Sequence, residues 1–343
     1  MNKKLSIIMI VLLGLTVCLT GHCEEMENGA EDIIQQTFSI SLADSGSEYT
    51  ANYAAGVAFK EFVESNSDGR ITVALFPNGQ LGNDRELIEA VQMGQVTMHG
   101  TSTGQHVNFH PELGVFDAPF AFRNKDDVYA LFEQEDFSDA FSDMFESRGF
   151  KFAGMYVAGF RTLTSNREVR NPDDLMRLDI RTMENPNQMA VWRAFEANPT
   201  PISFTELYTA LQQGVVAAQE NPIELIYSQK FYEQQKYVVF TNHQAQIIIF
   251  TMNIDFYNSL PEDLKEVVDE GFKVLTMTGQ NFVDENEEKY IQEMKEYGVT
   301  FIDLDPDTLA LFKDKTASVW DMVGEKHPEF YKIYREGLDK VIK

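Results

Sequence analysis

The chain is 343 residues long and carries 54 Asp and Glu against 28 Lys and Arg, a formal net charge of −26. So large an acidic surplus excludes nucleic acid and anionic lipid head groups as partners, and it repels small anions at long range, so any anion site must bring its own cations. The two cysteines, Cys18 and Cys23, fall in or just after the N-terminal apolar segment, which leaves the rest of the chain no disulfide, zinc-thiolate or catalytic thiol.

Lys3 and Lys4, followed by an apolar run from Leu5 to about Thr20, give residues 1–23 the layout of an export signal; the run is shorter than the roughly 20 residues that span a bilayer. Leu19-Thr20-Gly21-His22-Cys23 has roughly the order of apolar and small residues found before an acylated lipoprotein cysteine, with His22 where a small residue is usual. The membrane contact this offers is a lipid on Cys23. Residues 24–35 are rich in acid and read as a solvated tether. The chain beyond the tether is too long for one ordinary core and suits two domains.

Past residue 35, apolar or alternating runs predict strands at 37–43, 71–76 and 96–100, separated by amphipathic helices at 51–65 and 83–93. A second series predicts strands at 152–157, 178–182, 214–218, 237–241 and 247–252, and then a helix from Pro261 to about Tyr297, long enough to cross two domains. Strand and helix alternate, which favours an α/β fold.

Six arginines, Arg161, Arg167, Arg170, Arg177, Arg181 and Arg193, fall within one short stretch of this acidic chain. Arg167, Arg170, Arg177 and Arg193 have local acids to pair with. Arg161 stands at the end of an expected strand, and Arg181 lies inside Leu178-Asp179-Ile180-Arg181-Thr182 among apolar neighbours, where a guanidinium needs an anionic partner and a bound carboxylate has the matching bidentate geometry. Downstream, Gln219-Glu220-Asn221-Pro222 stands where the 214–218 strand should end, a suitable place for a ligand contact. Asn221 both donates and accepts, which suits a carboxylate or hydroxyl, or else caps the turn before Pro222. Phe204 and Tyr208 either wall a pocket or fill the core.

Enzymatic motifs are missing: there is no Gly-x-Ser-x-Gly, no His-Glu-x-x-His and no phosphate-cradling glycine loop, and His106 and His110 precede Pro111 in a poor setting for a metal. No cofactor and no metal are indicated.

The stretch 201–243, with Gly214-Val215-Val216-Ala217-Ala218-Gln219-Glu220-Asn221-Pro222 at its centre, closely resembles the signature of the dicarboxylate-binding (DctP) solute-binding proteins of TRAP (tripartite ATP-independent periplasmic) transporters, with Ala217 and Ala218 in place of the family's Asp-Gly. Phe76-Pro77-Asn78-Gly79-Gln80-Leu81-Gly82 and Asp117-Ala118-Pro119-Phe120-Ala121-Phe122 resemble two further family segments, and the likeness runs from about Phe38 to Gly337. The resemblance implies a two-lobed, type II-like periplasmic-binding-protein fold with crossing strands and one long helix spanning both lobes. Lobe I would comprise 36–158 plus about 247–285, and lobe II 159–246 plus about 286–343. It further implies that Arg181 clamps a ligand carboxylate, that Arg161 supports it, that Asn221 contacts the ligand and that Phe204 lies beside it. Lobe I would contribute the loop 43–48 and the strand end 99–102, where Glu48 or His99 receives sugar hydroxyls or, if protonated, a second carboxylate; each is also a plausible surface residue. The expected ligand is a small organic anion, a C4-dicarboxylate or a uronate or other sugar acid, and the expected partners are the TRAP membrane permease subunits. The alternatives are a binding protein that feeds a sensory receptor and a carboxylate-dependent hydrolase.

Overall fold

The structure, a computed structural model, describes residues 36–342. The expected export signal, Cys23 and the tether lie outside the described residues. Among those described, nine strands form one mixed sheet: β1 (Phe38–Ala43), β2 (Ile71–Phe76), β3 (Met98–Ser102), β4 (Phe150–Ser165), β5 (Asp179–Thr182), β6 (Asn198–Pro201), β7 (Ala218–Asn221), β8 (Tyr237–Asn253) and β9 (Thr300–Ile302). Their order is β2-β1-β3-β8-β4-β7-β5-β6, with β9 paired to β8.

β1, β2 and β3 run parallel, connected through the helices Ala51–Asn66 and Asp84–Gln92. The second helix begins with Asn83 and Glu86 bonded reciprocally to each other's backbone, a capping box that fixes where Asp84 stands. On the other side of the sheet β5, β6 and β7 are also parallel. Two long antiparallel strands join these parts. β8 pairs with β3 through residues 248–252 and with β4 along most of its length, while β4 pairs with β7 through 162–165.

Three expectations need correction. The segments 237–241 and 247–252 are one 17-residue strand, β8. Its polar middle reads as a loop in sequence, but His243, Gln244 and Gln246 are buried there and each meets a polar partner on a neighbouring segment. β4 extends well beyond 152–157, through register shifts between Val157 and Phe160 and between Arg161 and Leu163, with Gly159 at φ +100° in the first of them. Finally, 214–218 is not a strand that ends at the polar cluster. The strand is Ala218–Asn221 itself, and Val215 is exposed.

The long helix runs from Glu262 to Tyr297 with Gly298 left-handed at its end, about 54 Å at ~1.5 Å per residue. Leu264, Val268, Phe272 and Leu275 join Phe59, Val63 and Tyr156 in one core, whereas Tyr290 and Met294 join Ile223, Ile226 and Val238 in another. No helix among the described residues is long and apolar enough to cross a membrane.

Candidate ligand-binding site

Residues of β3, β4, β5, β7 and β8 surround a cavity with about 510 Å³ of empty volume, the solvent at its open side included. Arg181, from β5, is 1% exposed. Its Nε donates to the Ile202 carbonyl (2.8 Å), while Nη1 and Nη2 are buried with no partner. Burial, reinforced by the like charge of Arg161, pulls its pKa down to about 10, so it stays ionised at neutral pH. Four guanidinium N–H groups are therefore directed into a water-poor space without an acceptor, which is costly unless an anion supplies one.

Arg161, from β4, also lines the cavity but has its carboxylate already. Nε and Nη2 (2.8 Å) bind the two oxygens of Glu220, Nη2 also reaches the Glu220 carbonyl (2.6 Å), and Nη1 donates to Gln246. Of five N–H donors, one on Nη1 is left over. Burial opposes ionisation of Glu220, yet Arg161 and His243 (3.2 Å from it) hold its pKa down to about 2. The expected polar strand tip is thus largely a structural pair, which sequence proximity alone did not disclose because its members are 59 residues apart.

Asn221 lines the cavity beside this pair and donates to Gln219 (2.6 Å), which in turn bonds Thr164. Phe204, the first residue of the helix Phe204–Gln212, lines it too and packs edge-on against Phe231. Tyr208 is away from the cavity lining and donates to Glu233. Of the other arginines, Arg170 pairs with Glu168 and Arg167 donates to the carbonyls of Asp174 and Met176.

Glu48 and His99 do not line the cavity. Glu48 is exposed, on a separate depression with Tyr49 and Tyr227. His99 is fully buried behind the wall, with Nδ1 on the Ala43 carbonyl (2.9 Å) and Nε2 3.5 Å from Asp84. From the loop 43–48 it is Asp44 that lines the cavity, and Asp84, at the start of the helix Asp84–Gln92, joins it there.

Asp84 accepts from Ser45 (2.8 Å), Thr101 (2.8 Å) and Gln105 (3.2 Å). Although burial opposes its charge, His99 and these donors hold its pKa below the usual value, and His99 is raised in turn despite its own burial. Asp44 follows β1, accepts from the Gly46 N–H and keeps Oδ2 buried without a partner. Burial pushes it up to about 6. The turn at Asn78 and Gly79 ties this segment down by donating to the Gly46 (2.7 Å) and Asp44 (3.0 Å) carbonyls. Glu224, in the helix Ile223–Ser228, accepts from the Ala51 N–H (3.1 Å) at the start of another helix, and burial raises it to about 7. Glu224 was missed in sequence; the available signal was an acid set between Ile223 and Ile226 in an otherwise apolar short helix.

Comparison with known proteins agrees with this architecture. The model of the family described as "Bacterial extracellular solute-binding protein, family 7" (DctP) matches residues 42–327. A solute-binding protein of Verminephrobacter eiseniae is 36% identical over 256 residues, 74% of this chain and 76% of that protein. The sugar acid binding protein DctPAm of Advenella mimigardefordensis, solved in complex with galactonate, superposes with TM-score 0.86 at 26% identity, covering 89% of this chain and 99% of the other. A TRAP periplasmic solute-binding protein of Shewanella oneidensis with bound succinate gives TM-score 0.84 at 26% identity, covering 88% and 99%. These are binding proteins of transporters and not enzymes, which removes the hydrolase alternative, and they act outside the cytoplasm. An α/β chain of this topology, matched by the family model over most of its length, belongs to the family 7 extracellular solute-binding proteins, the DctP-type binding subunits of TRAP transporters.

Proposed function

We propose that the chain captures a small organic acid in the cavity by a salt bridge from Arg181 and hands it to the TRAP membrane permease. The observation that carries this reading is the buried Arg181 fork with both terminal nitrogens unpartnered, since a carboxylate satisfies it in bidentate fashion. Arg161 supports the ligand with one remaining N–H and its charge, while Asn221 and Phe204 orient it from the side. The galactonate and succinate in the two related structures fit an organic acid as cargo.

The lobes divide as 36–158 with about 247–285, and 159–246 with about 286–343, and closure brings them together over the ligand. In support, the register shift at Gly159 in β4 lies opposite the interval between Ala245 and Ile247 in β8, so both long strands change character at the same level. Residues 1–23 direct export and Cys23 is the candidate site of a lipid anchor. Cys23→Ser should release the chain from the membrane fraction, and an unchanged distribution would remove the anchor.

Calorimetry on protein unfolded and refolded to strip carried-over ligand tests the clamp. Arg181→Ala should weaken binding of the cognate acid by about 30-fold or more, the consequence of losing roughly 2–5 kcal/mol when one partner of a buried charge pair is removed. A loss below about threefold would show that Arg181 is not the clamp.

A further inference from the structure

The cavity that Arg181 lines also has an acidic wall. Asp44, Asp84 and Glu224 all line it and all are at least nine-tenths buried. Asp84 has its countercharge in His99. Asp44 and Glu224 have no basic side chain bonded to them, although the charge of His99 also acts on Asp44; they accept from the N–H groups of Gly46 and Ala51, and Asp44 Oδ2 is left without a donor. The cavity therefore offers both unfilled acceptor capacity and an unfilled donor fork. A ligand with carboxylates at both ends would satisfy Arg181 and place its second charge against three acids.

We propose that the ligand has one carboxylate, seated at Arg181, and an uncharged body whose hydroxyl groups donate to Asp44, Asp84 and Glu224: a polyhydroxy monocarboxylate of the sugar-acid class, and not a dicarboxylate. This rests on the Arg181 reading above and narrows it. Hydroxyls suit the wall better than an ammonium does. Ser45, Asn52, Thr101 and Gln105 also line it, and a hydroxyl both donates and accepts, whereas an ammonium has three donors and no acceptor to offer the amide N–H groups. The raised pKa values of Asp44 and Glu224, both caused first by burial, are in keeping with neutral donors, since a second anion brought to these acids would drive them to take up protons.

The test is a titration of ligand-stripped protein with four acids: D-galactonate, D-erythronate, succinate and 4-aminobutyrate, the last three sharing a four-carbon skeleton. At least one aldonate should bind about tenfold or more tightly than succinate and 4-aminobutyrate, and Glu224→Gln and Asp44→Asn should each reduce that preference by about tenfold, the size of one hydrogen bond to a charged group. Succinate equal to or tighter than both aldonates overturns the proposal while leaving the arginine clamp standing. Preference for 4-aminobutyrate overturns it in favour of an ammonium subsite. An aldonate preference untouched by either variant removes the acids from the assignment. If none of the four acids binds, or all bind Arg181→Ala unchanged, the organic-acid reading itself fails and this proposal with it.

Discussion

Arg161 and Arg181 are equally buried, line the same cavity and have opposite consequences when removed. Arg161 and Glu220 satisfy each other, so taking away the acid leaves a guanidinium buried and uncompensated. Glu220→Gln is expected to destabilise the fold by about 3–5 kcal/mol with or without ligand, read as a lower midpoint in urea. Arg181 has no such partner. Arg181→Met removes an unpaired buried charge while keeping a flexible side chain of comparable length, so the ligand-free variant should unfold at the same temperature as the parent or higher, although it no longer binds. A marked drop in the unliganded melting temperature would mean that Arg181 has a structural counter-ion. Sequence could rank these two arginines above the other four, from their strand positions and apolar neighbours. It could not show that Arg161 already has its carboxylate, because Glu220 reaches Arg161 through pairing of β4 with β7. Glu48 and His99 lie off the cavity lining for a related reason: which side chain turns inward depends on long-range contacts such as the bond from His99 to the Ala43 carbonyl.

At the scale of elements, the long helix carries tight constraints. A Cβ at Gly279 would stand 2.7 Å from the ring of Tyr156, which lines the cavity and donates from its hydroxyl to Asn52 (2.6 Å). Gly279→Ala should therefore cost about 1–3 kcal/mol by overpacking and also weaken ligand binding, because Tyr156 must shift. Unchanged affinity alongside lower stability would show that the strain is absorbed on the helix side. This helix was legible in sequence almost to the residue, since its apolar spacing repeats over ten turns. The polar centre of β8 was not: periodicity registers a run of Thr, Asn, His and Gln as a break, and only long-range partners show that it is a buried strand.

For the molecule as a whole, buried acids set how stability responds to pH. Glu224 at about 7 and Asp44 and Asp117 at about 6, all raised chiefly by burial, compare with ordinary values of 4.5 and 3.8. Across roughly pH 4 to 7 the folded state keeps protons that the unfolded state has released, so stability falls as pH rises, by on the order of 3 kcal/mol for Glu224 if it acted alone. His99, raised by Asp84 against the effect of burial, acts in the same direction, its contribution fading above its ordinary value of 6.5. Glu220 acts oppositely, but its contribution is complete above about pH 4.5 and is lost only toward pH 2. His106 and His110, both lowered chiefly by burial, act the other way below their ordinary 6.5, so the ligand-free melting temperature should decline between pH 6.5 and pH 7.5, and Glu224→Gln should flatten the decline. A rise over that interval would contradict these assignments.

The unpartnered fork of Arg181 also bears on traffic at the membrane. Binding subunits outnumbering their permease would clog it if empty and loaded copies docked alike. Enclosing a bare guanidinium costs several kcal/mol, and a ligand carboxylate removes that cost, so the vacant chain is biased against the enclosed shape in which a loaded one presents itself. On the proposed clamp, the atom pair that holds the cargo would thereby also act as a proof of occupancy, keeping idle copies out of the queue.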